Sequence, residues 1–198
     1  MQTLLNLQTL QANIYSAISP NINFCNPSHL SSFKKQFRCI FNQAHVSATS
    51  CDIGMQQPYK NRYNLTGGVA IVTTNHWTSK ICSTLRDARG HGSFTVTSLQ
   101  GRNGKKLSII AAYISVEKGT FAGINTVHAQ QKFMMEHHAL KAGKTPIDLP
   151  CPRRAAIKAI GEMIMKLQED GHAIILTIDA NQTLSECKTR NGIKPYSI

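Results

Sequence analysis

Three observations predict a mixed α/β fold for this chain. Aliphatic, β-branched runs at 69–72, 107–114 and 173–178 have the composition of strands that pack on a core. Apolar residues recur every three or four positions in two stretches, 30–44 and 157–167, as on one face of a helix. Asn103-Gly104 sits between two strand-like runs, where a tight turn with positive φ angles makes an antiparallel hairpin.

The elements follow in order. Residues 13–18 (NIYSAI) read as a short strand. Asn26 then caps a helix over 27–43, with Pro27 at the first position, where the missing N–H costs nothing. Its apolar stripe is Leu30, Phe33, Phe37, Phe41 and Ala44, with Lys34, Lys35 and Arg38 between them. A strand at 45–50 and a polar loop to Thr66 lead to Gly67-Gly68 and the strand 69–72, expected to be buried on both faces. Phe94, Val96 and Ser98 alternate with Thr95, Thr97 and Leu99 in a period-2 strand. The turn 102–105 then reverses the chain into a return strand at 107–114.

A helix at 127–140 follows, its stripe interrupted by histidines and methionines, and then a loop marked by Pro146, Pro150 and Pro152. The clearest unit is a helix at 154–170 with the stripe Ile157, Ile160, Ile164 and Leu167, stopped by Gly171. It feeds a strand at 173–178, read as buried, with Asp179 at its C-terminal end. Chemistry in α/β proteins commonly gathers at such strand ends.

The 198 residues fit one domain, assigned to 1–198, with residues 1–12 expected to be disordered. Apolar content of 41% and charged content of 16% exclude a disordered polyampholyte. The longest aliphatic stretch, 173–176, is far short of a membrane span, and residues 1–33 lack the basic segment of a signal peptide. The formal charge of +12 divides evenly, +6 in residues 1–99 and +6 in 100–198, so the excess is no basic tail. Such a surface favours a polyanionic partner, nucleic acid above all. The cysteines at 25, 39, 51, 82, 151 and 187 form no Cys-x-x-Cys pair and read as reduced thiols of an intracellular protein, cytoplasmic or nuclear.

Asp179-Ala180-Asn181 is the sharpest local feature. An aspartate past a strand can ligate a divalent metal or hold a water, and an asparagine two residues on can bond a phosphate oxygen. Ordinary turn residues read the same way. Tyr113 could donate its hydroxyl to a phosphate or simply pack. His137-His138 and Gln130-Gln131 are adjacent pairs that point to different helix faces, which argues against a metal site there. Lys105-Lys106 and Arg153-Arg154 read as solvated charges or as contacts along a nucleic-acid backbone.

Three segments in this order resemble the endonuclease/exonuclease/phosphatase superfamily, the group of abasic-site endonucleases and DNase I-like enzymes. They are Gly67-Gly68-Val-Ala-Ile-Val, Lys106-Leu-Ser-Ile-Ile-Ala-Ala-Tyr113 and Ile174-Ile-Leu-Thr-Ile-Asp179-Ala-Asn181. The nearest look is to the endonuclease domains of non-LTR retrotransposons. The resemblance implies two mixed β-sheets stacked as a sandwich and flanked by helices, and Mg²⁺-dependent phosphodiester hydrolysis on nucleic acid. By resemblance Asp179 helps place the attacking water and is a metal ligand, Asn181 binds the scissile phosphate and Tyr113 contacts it.

Two departures from the family pattern shape the expectation. The family's first strand ends in Gln-Glu, whose Glu holds the metal; Ile18-Ser19 stands there, and the Ser19 hydroxyl is a neutral, weak Mg²⁺ ligand. The family's closing Asp-His pair would fall beyond Ile198. The expectation is therefore a partial sandwich, a C-terminally truncated copy with weak or no nuclease activity. The alternative is a non-catalytic, basic nucleic-acid-binding protein on the same scaffold.

Overall fold

Phe33 and Phe37 decide where the first helix goes. In the computed structural model, which describes residues 16–19, 27–50, 68–116, 126–146 and 149–181, helix α1 (Pro27–Ile40) lays these two rings on Val46, Ala48, Ala70 and Val72. The rings meet edge to face with centroids 4.9 Å apart, an arrangement that suits their quadrupoles. Beneath them lies an antiparallel sheet of β1 (Ser16–Ser19), β2 (Ala44–Ser50) and β3 (Gly68–Thr74), in the order β1-β3-β2. All seven residues of β3 are buried, as its β-branched composition predicts.

A second sheet contains β4 (Ile81–Arg86), β5 (Phe94–Gln100), β6 (Lys106–Tyr113) and β7 (His172–Asp179), in that order. Its first three strands are antiparallel, and β7 joins β6 in parallel. A parallel pair needs a long crossover. Here α2 (Val127–Lys141) and α3 (Pro152–Glu169) lie within it. The two sheets pack face to face through Val69 and Ile71 against Leu99, Ile109 and Ala111. Helix α3 covers the outer face of the second sheet, with Ile160 and Leu167 on Phe94, Val96, Ile110, Ala112 and Ile114. The result is helix, sheet, sheet, helix.

The link between the sheets fixes their relative direction. A 3-10 turn, Asn75–Lys80, carries the chain from Thr74 at the end of β3 to Ile81, opposite Leu99. Six residues at about 2 Å each span roughly 12 Å, about half the length of a seven-residue strand. The Thr74 end of the first sheet therefore lies over the Leu99 end of the second. The opposite ends, with Gly68 in one sheet and Tyr113 and Asp179 in the other, also coincide.

Several expectations change. Helix α1 stops at Ile40, not at residue 43, because Gln43 accepts a hydrogen bond from Asn75 N at 2.8 Å and the chain has already turned into β2. Ala44 thus leaves the helical stripe, while Phe41 keeps a stacked contact with Phe37 at 6.4 Å. Pro152 begins α3 and is not part of the preceding loop, since a proline is at home in a first helical turn. Ile157 is 49% exposed; the buried stripe of α3 runs through Ala156, Ile160 and Leu167, one position round the helix. Strand β4 has no counterpart in the sequence reading. The alternation in β5 does not mark a wet face: Thr95 and Thr97 are wholly buried between the sheets, and Thr95 Oγ1 lies 2.7 Å from Ser47 Oγ of the facing sheet.

The largest correction concerns β7. It is the outermost strand of its sheet among the described residues, and Ile175, Leu176 and Ile178 remain 47%, 41% and 39% exposed. An aliphatic run reads as buried only if a neighbour flanks it on both sides. By contrast the hairpin turn is as read, with Asn103 and Gly104 at φ 57° and 72° and Lys105 N bonded to Arg102 O. Residues 1–12, the start of the first strand at 13–15, the Asn26 cap, Gly67 and the segment 182–198 lie outside the described residues. Cys39, Cys82 and Cys151 are free thiols, and no helix among the described residues is long and apolar enough to cross a membrane.

Candidate functional site

Strands β6 and β7 end side by side. In their parallel register Tyr113 is the partner of Asp179, the last pair of the ladder. One step on, Ile114 N donates to Asp179 O at 2.9 Å. Asn181 then bends back, its Nδ2 donating to Ile114 O at 3.0 Å while its own N–H donates to Asp179 Oδ1 at 3.2 Å. Asn181, which closes this Asx turn, adopts φ 47°, a left-handed value that asparagine tolerates better than most side chains.

The rim therefore has a definite hydrogen-bonding character. One of the two Nδ2 hydrogens of Asn181 is used on Ile114, which leaves the second hydrogen and the amide oxygen for a ligand. Asp179 keeps its second carboxylate oxygen. Asp179 is half-buried, and Asn181 is exposed. Strand alternation puts Tyr113 and Asp179 on the face of the sheet that carries Ile109 and Ala111, toward the facing sheet. Tyr113 also packs against Val127 and Met134 of α2, so its ring does structural work whatever its hydroxyl touches.

Ser19 lies across the stack. It is the register partner of Ala70, near the Gly68 end of β3, and so belongs to the same end of the molecule as Tyr113 and Asp179. Its strand β1 is the edge of the first sheet, as β7 is the edge of the second. Asp179 thus links Tyr113, its register partner, to Asn181, its hydrogen-bond partner, and Ser19 belongs to the other layer. No group of three or more His, Cys, Asp or Glu side chains among the described residues could hold a metal ion; of Tyr113, Asp179, Asn181 and Ser19, Asp179 alone is a carboxylate.

No family model, no curated protein and no solved structure matches the chain.

Behind the rim lies a buried polar network absent from the sequence reading. Asp87, its side chain 1% exposed, takes two hydrogen bonds from the Arg89 guanidinium, at 2.8 and 2.9 Å. Arg89 also donates to Ala155 O of α3 at 2.8 Å. Burial alone would raise the Asp87 carboxyl; the bonds and charge of Arg89, with His91 nearby, hold it below its usual value. Gln131 joins the other half. Its Nε2 donates to His91 O and reaches Ser93 Oγ, and its Oε1 accepts from Ser115 Oγ at 3.1 Å. Ser93 O in turn accepts from Tyr113 N at 2.8 Å, and Arg153 donates to Ser115 O at 3.1 Å.

This network anchors the last residue of β6 to the β4–β5 turn, to α2 and to the start of α3. Arg153, read as a solvated charge, is one of its members. Gln130 and Gln131 do point differently, as adjacent helical residues must, but both are buried. Gln130 carries Nε2 and Oε1 without a hydrogen-bond partner among the described residues. His91 is buried beside them and stacks on His138 with ring centroids 6.2 Å apart. Burial first, then the charge of Arg89, pushes its imidazole down to about 4, against a smaller opposing pull from Asp87.

Proposed function

We propose that this chain is a phosphodiester-binding protein of the DNase I-like, endonuclease/exonuclease/phosphatase type, with weak or no hydrolytic activity by itself. The observation that carries the reading is the pairing of Tyr113 with Asp179, capped by the Asn181 turn, at one end of a two-sheet stack. Together they offer a phenol, a carboxylate oxygen and an amide to one ligand. A phosphodiester in contact with a divalent cation can use all three: phosphate oxygens accept from the amide and the phenol, and the carboxylate faces the metal.

Mg²⁺ fits this donor set in a limited way. It is commonly held by one or two carboxylates, with water and substrate phosphates filling the other positions. Asp179 would supply the one carboxylate, and Ser19, from the facing sheet, could add only a neutral oxygen. When bound, the metal would offset charge that develops on the phosphoryl oxygens. Tyr113, Asp179 and Asn181 include no imidazole to take a proton from water, and such assistance is typically worth about 10²–10⁴-fold.

Nicking of supercoiled and abasic-site DNA with Mg²⁺, beside Asp179→Ala, tests this. Little or no cleavage by the parent, together with measurable binding of the same DNA, is expected. Robust cleavage abolished by Asp179→Ala would make the protein a competent nuclease and overturn the second half of the proposal. A second reading, a basic nucleic-acid-binding protein without chemistry, draws on the charge of +12 and on the packing role of Tyr113.

A further inference from the structure

Charge that is evenly divided along the chain is not evenly divided over the fold. Strands β1 to β4 and helix α1 contain no acidic residue, whereas Lys34, Lys35, Arg38, Lys80 and Arg86 all lie in them or in the turn before β4. The three ion pairs of the described residues are elsewhere, at Asp87–Arg89 and within α2 and α3. Lys34, Lys35, Arg38, Lys80 and Arg86 therefore have no ion-pair partner among the described residues.

The topology collects them. β2 is the outer strand of the first sheet and β4 the outer strand of the second, and they lie on the same side of the stack, where β2 and β5 meet through Ser47 and Thr95. Helix α1 packs on β2 and carries Lys34 and Arg38 one turn apart. Arg86 ends β4, directly after Leu85, whose carbonyl accepts from that same Thr95 hydroxyl. His45 of β2 registers the result: burial lowers its imidazole, and the charges of Lys34, Arg86 and Arg38 all push it further the same way. Three cations from two separate elements thus act on one point, with no carboxylate of the described residues offsetting them there.

We propose that this α1–β2–β4 side, on the edge opposite β7, binds the phosphate backbone of nucleic acid. Uncompensated like charges repel one another, so gathering them costs the fold stability unless a polyanion neutralises them. A nucleic-acid backbone does so with no demand on sequence, and it releases its condensed counterions in the process. The surface lies apart from the Tyr113–Asp179 rim; it rests on the nucleic-acid part of the reading above, and not on any chemistry at the rim. A strand held along α1 and β4 would be gripped on one side of the stack while its neighbouring phosphates reach the end that holds Asp179.

The test is fluorescence anisotropy with a labelled 20-base-pair duplex of arbitrary sequence in EDTA over a salt series. Lys34→Gln/Arg38→Gln/Arg86→Gln is compared with Lys132→Gln/Lys158→Gln/Lys166→Gln, which removes the same charge from α2 and α3. Each phosphate contact contributes about 0.9 to the slope of log K against log salt, so the first variant should flatten it by about 2 to 3 units. The second should leave it near the parent value, as should Asp179→Ala. Thermal unfolding of each variant, and retention of the slope in Lys34→Arg/Arg38→Lys/Arg86→Lys, separate lost contacts from lost structure. Equal flattening by both glutamine triples, or none by the first, would overturn the proposal. A parent that fails to bind the duplex would overturn it too, while the nicking assay would still judge the rim.

Discussion

Ser115 donates to Gln131 Oε1 at 3.1 Å, two residues beyond the tyrosine that ends β6. This bond fixes the start of the β6–α2 connection to the middle of α2. The same glutamine bonds His91 O at 2.9 Å, so one amide joins three segments under the rim. The position of Tyr113 beside Asp179 follows from strand register, and Gln131 ties together Ser115 and the His91–Ser93 segment that flank it.

Gln131→Leu should therefore destabilise the protein well beyond its loss of bulk. The substitution leaves Ser115 Oγ and His91 O buried without this partner, which costs about 3 kcal/mol together. Urea unfolding measures the difference. A loss under about 1 kcal/mol would mean that the network is solvated or is replaced.

Stability should fall in mild acid. His91 is held at about 4 in the folded chain against an ordinary 6.5, so between these values the unfolded chain binds a proton that the folded one refuses. Its contribution is complete above about 6.5 and fades as the pH drops toward 4. A shift of this size corresponds to about 3 kcal/mol, with half-buried His45 adding in the same direction. The groups that face His91 are Arg89, Asp87 and His138, and the lowered Asp87 loses its own contribution only below its ordinary 3.8. Denaturation midpoints from pH 7 to 4.5 should show the slope, and His91→Gln should remove most of it. An equal slope in that variant would place the effect on other groups.

Much of the fold is legible in the sequence where a local pattern carries its own cause. Gly68–Thr74 is β-branched and buried, and Asn103-Gly104 makes the turn that its positive φ angles allow. Strand β4 escapes because five of its six residues are exposed, leaving no apolar period to read. The aliphatic run of β7 reads as buried, because local composition does not reveal which strand lies at the edge of the described sheet. At the site, Asp179 and Asn181 stand out as turn residues after a strand, and Tyr113 as a strand end. Gln131 does not stand out, since its partners are 16, 38 and 40 residues away and no spacing rule joins them.

The exposed side of β7 should govern solution behaviour. Among the described residues β7 is an outer strand with half-exposed isoleucines, which invites association, and it has no lysine or proline to discourage this. Ile175→Lys should lower light scattering at high protein concentration while changing stability by no more than about 0.5 kcal/mol. A loss above about 2 kcal/mol would show that Ile175 is covered in solution.

On the function proposed above, the end of β6 and β7 receives a phosphodiester. A nuclear magnetic resonance titration of ¹⁵N-labelled chain with a short single-stranded deoxyoligonucleotide and Mg²⁺ tests it directly. The backbone amides of Tyr113, Ile114 and Asn181, and the Asn181 side-chain amide, should shift in a saturable way, and the response should be lost in Asp179→Ala. A titration in which the basic side at His45 responds and these four signals stay fixed would contradict the account.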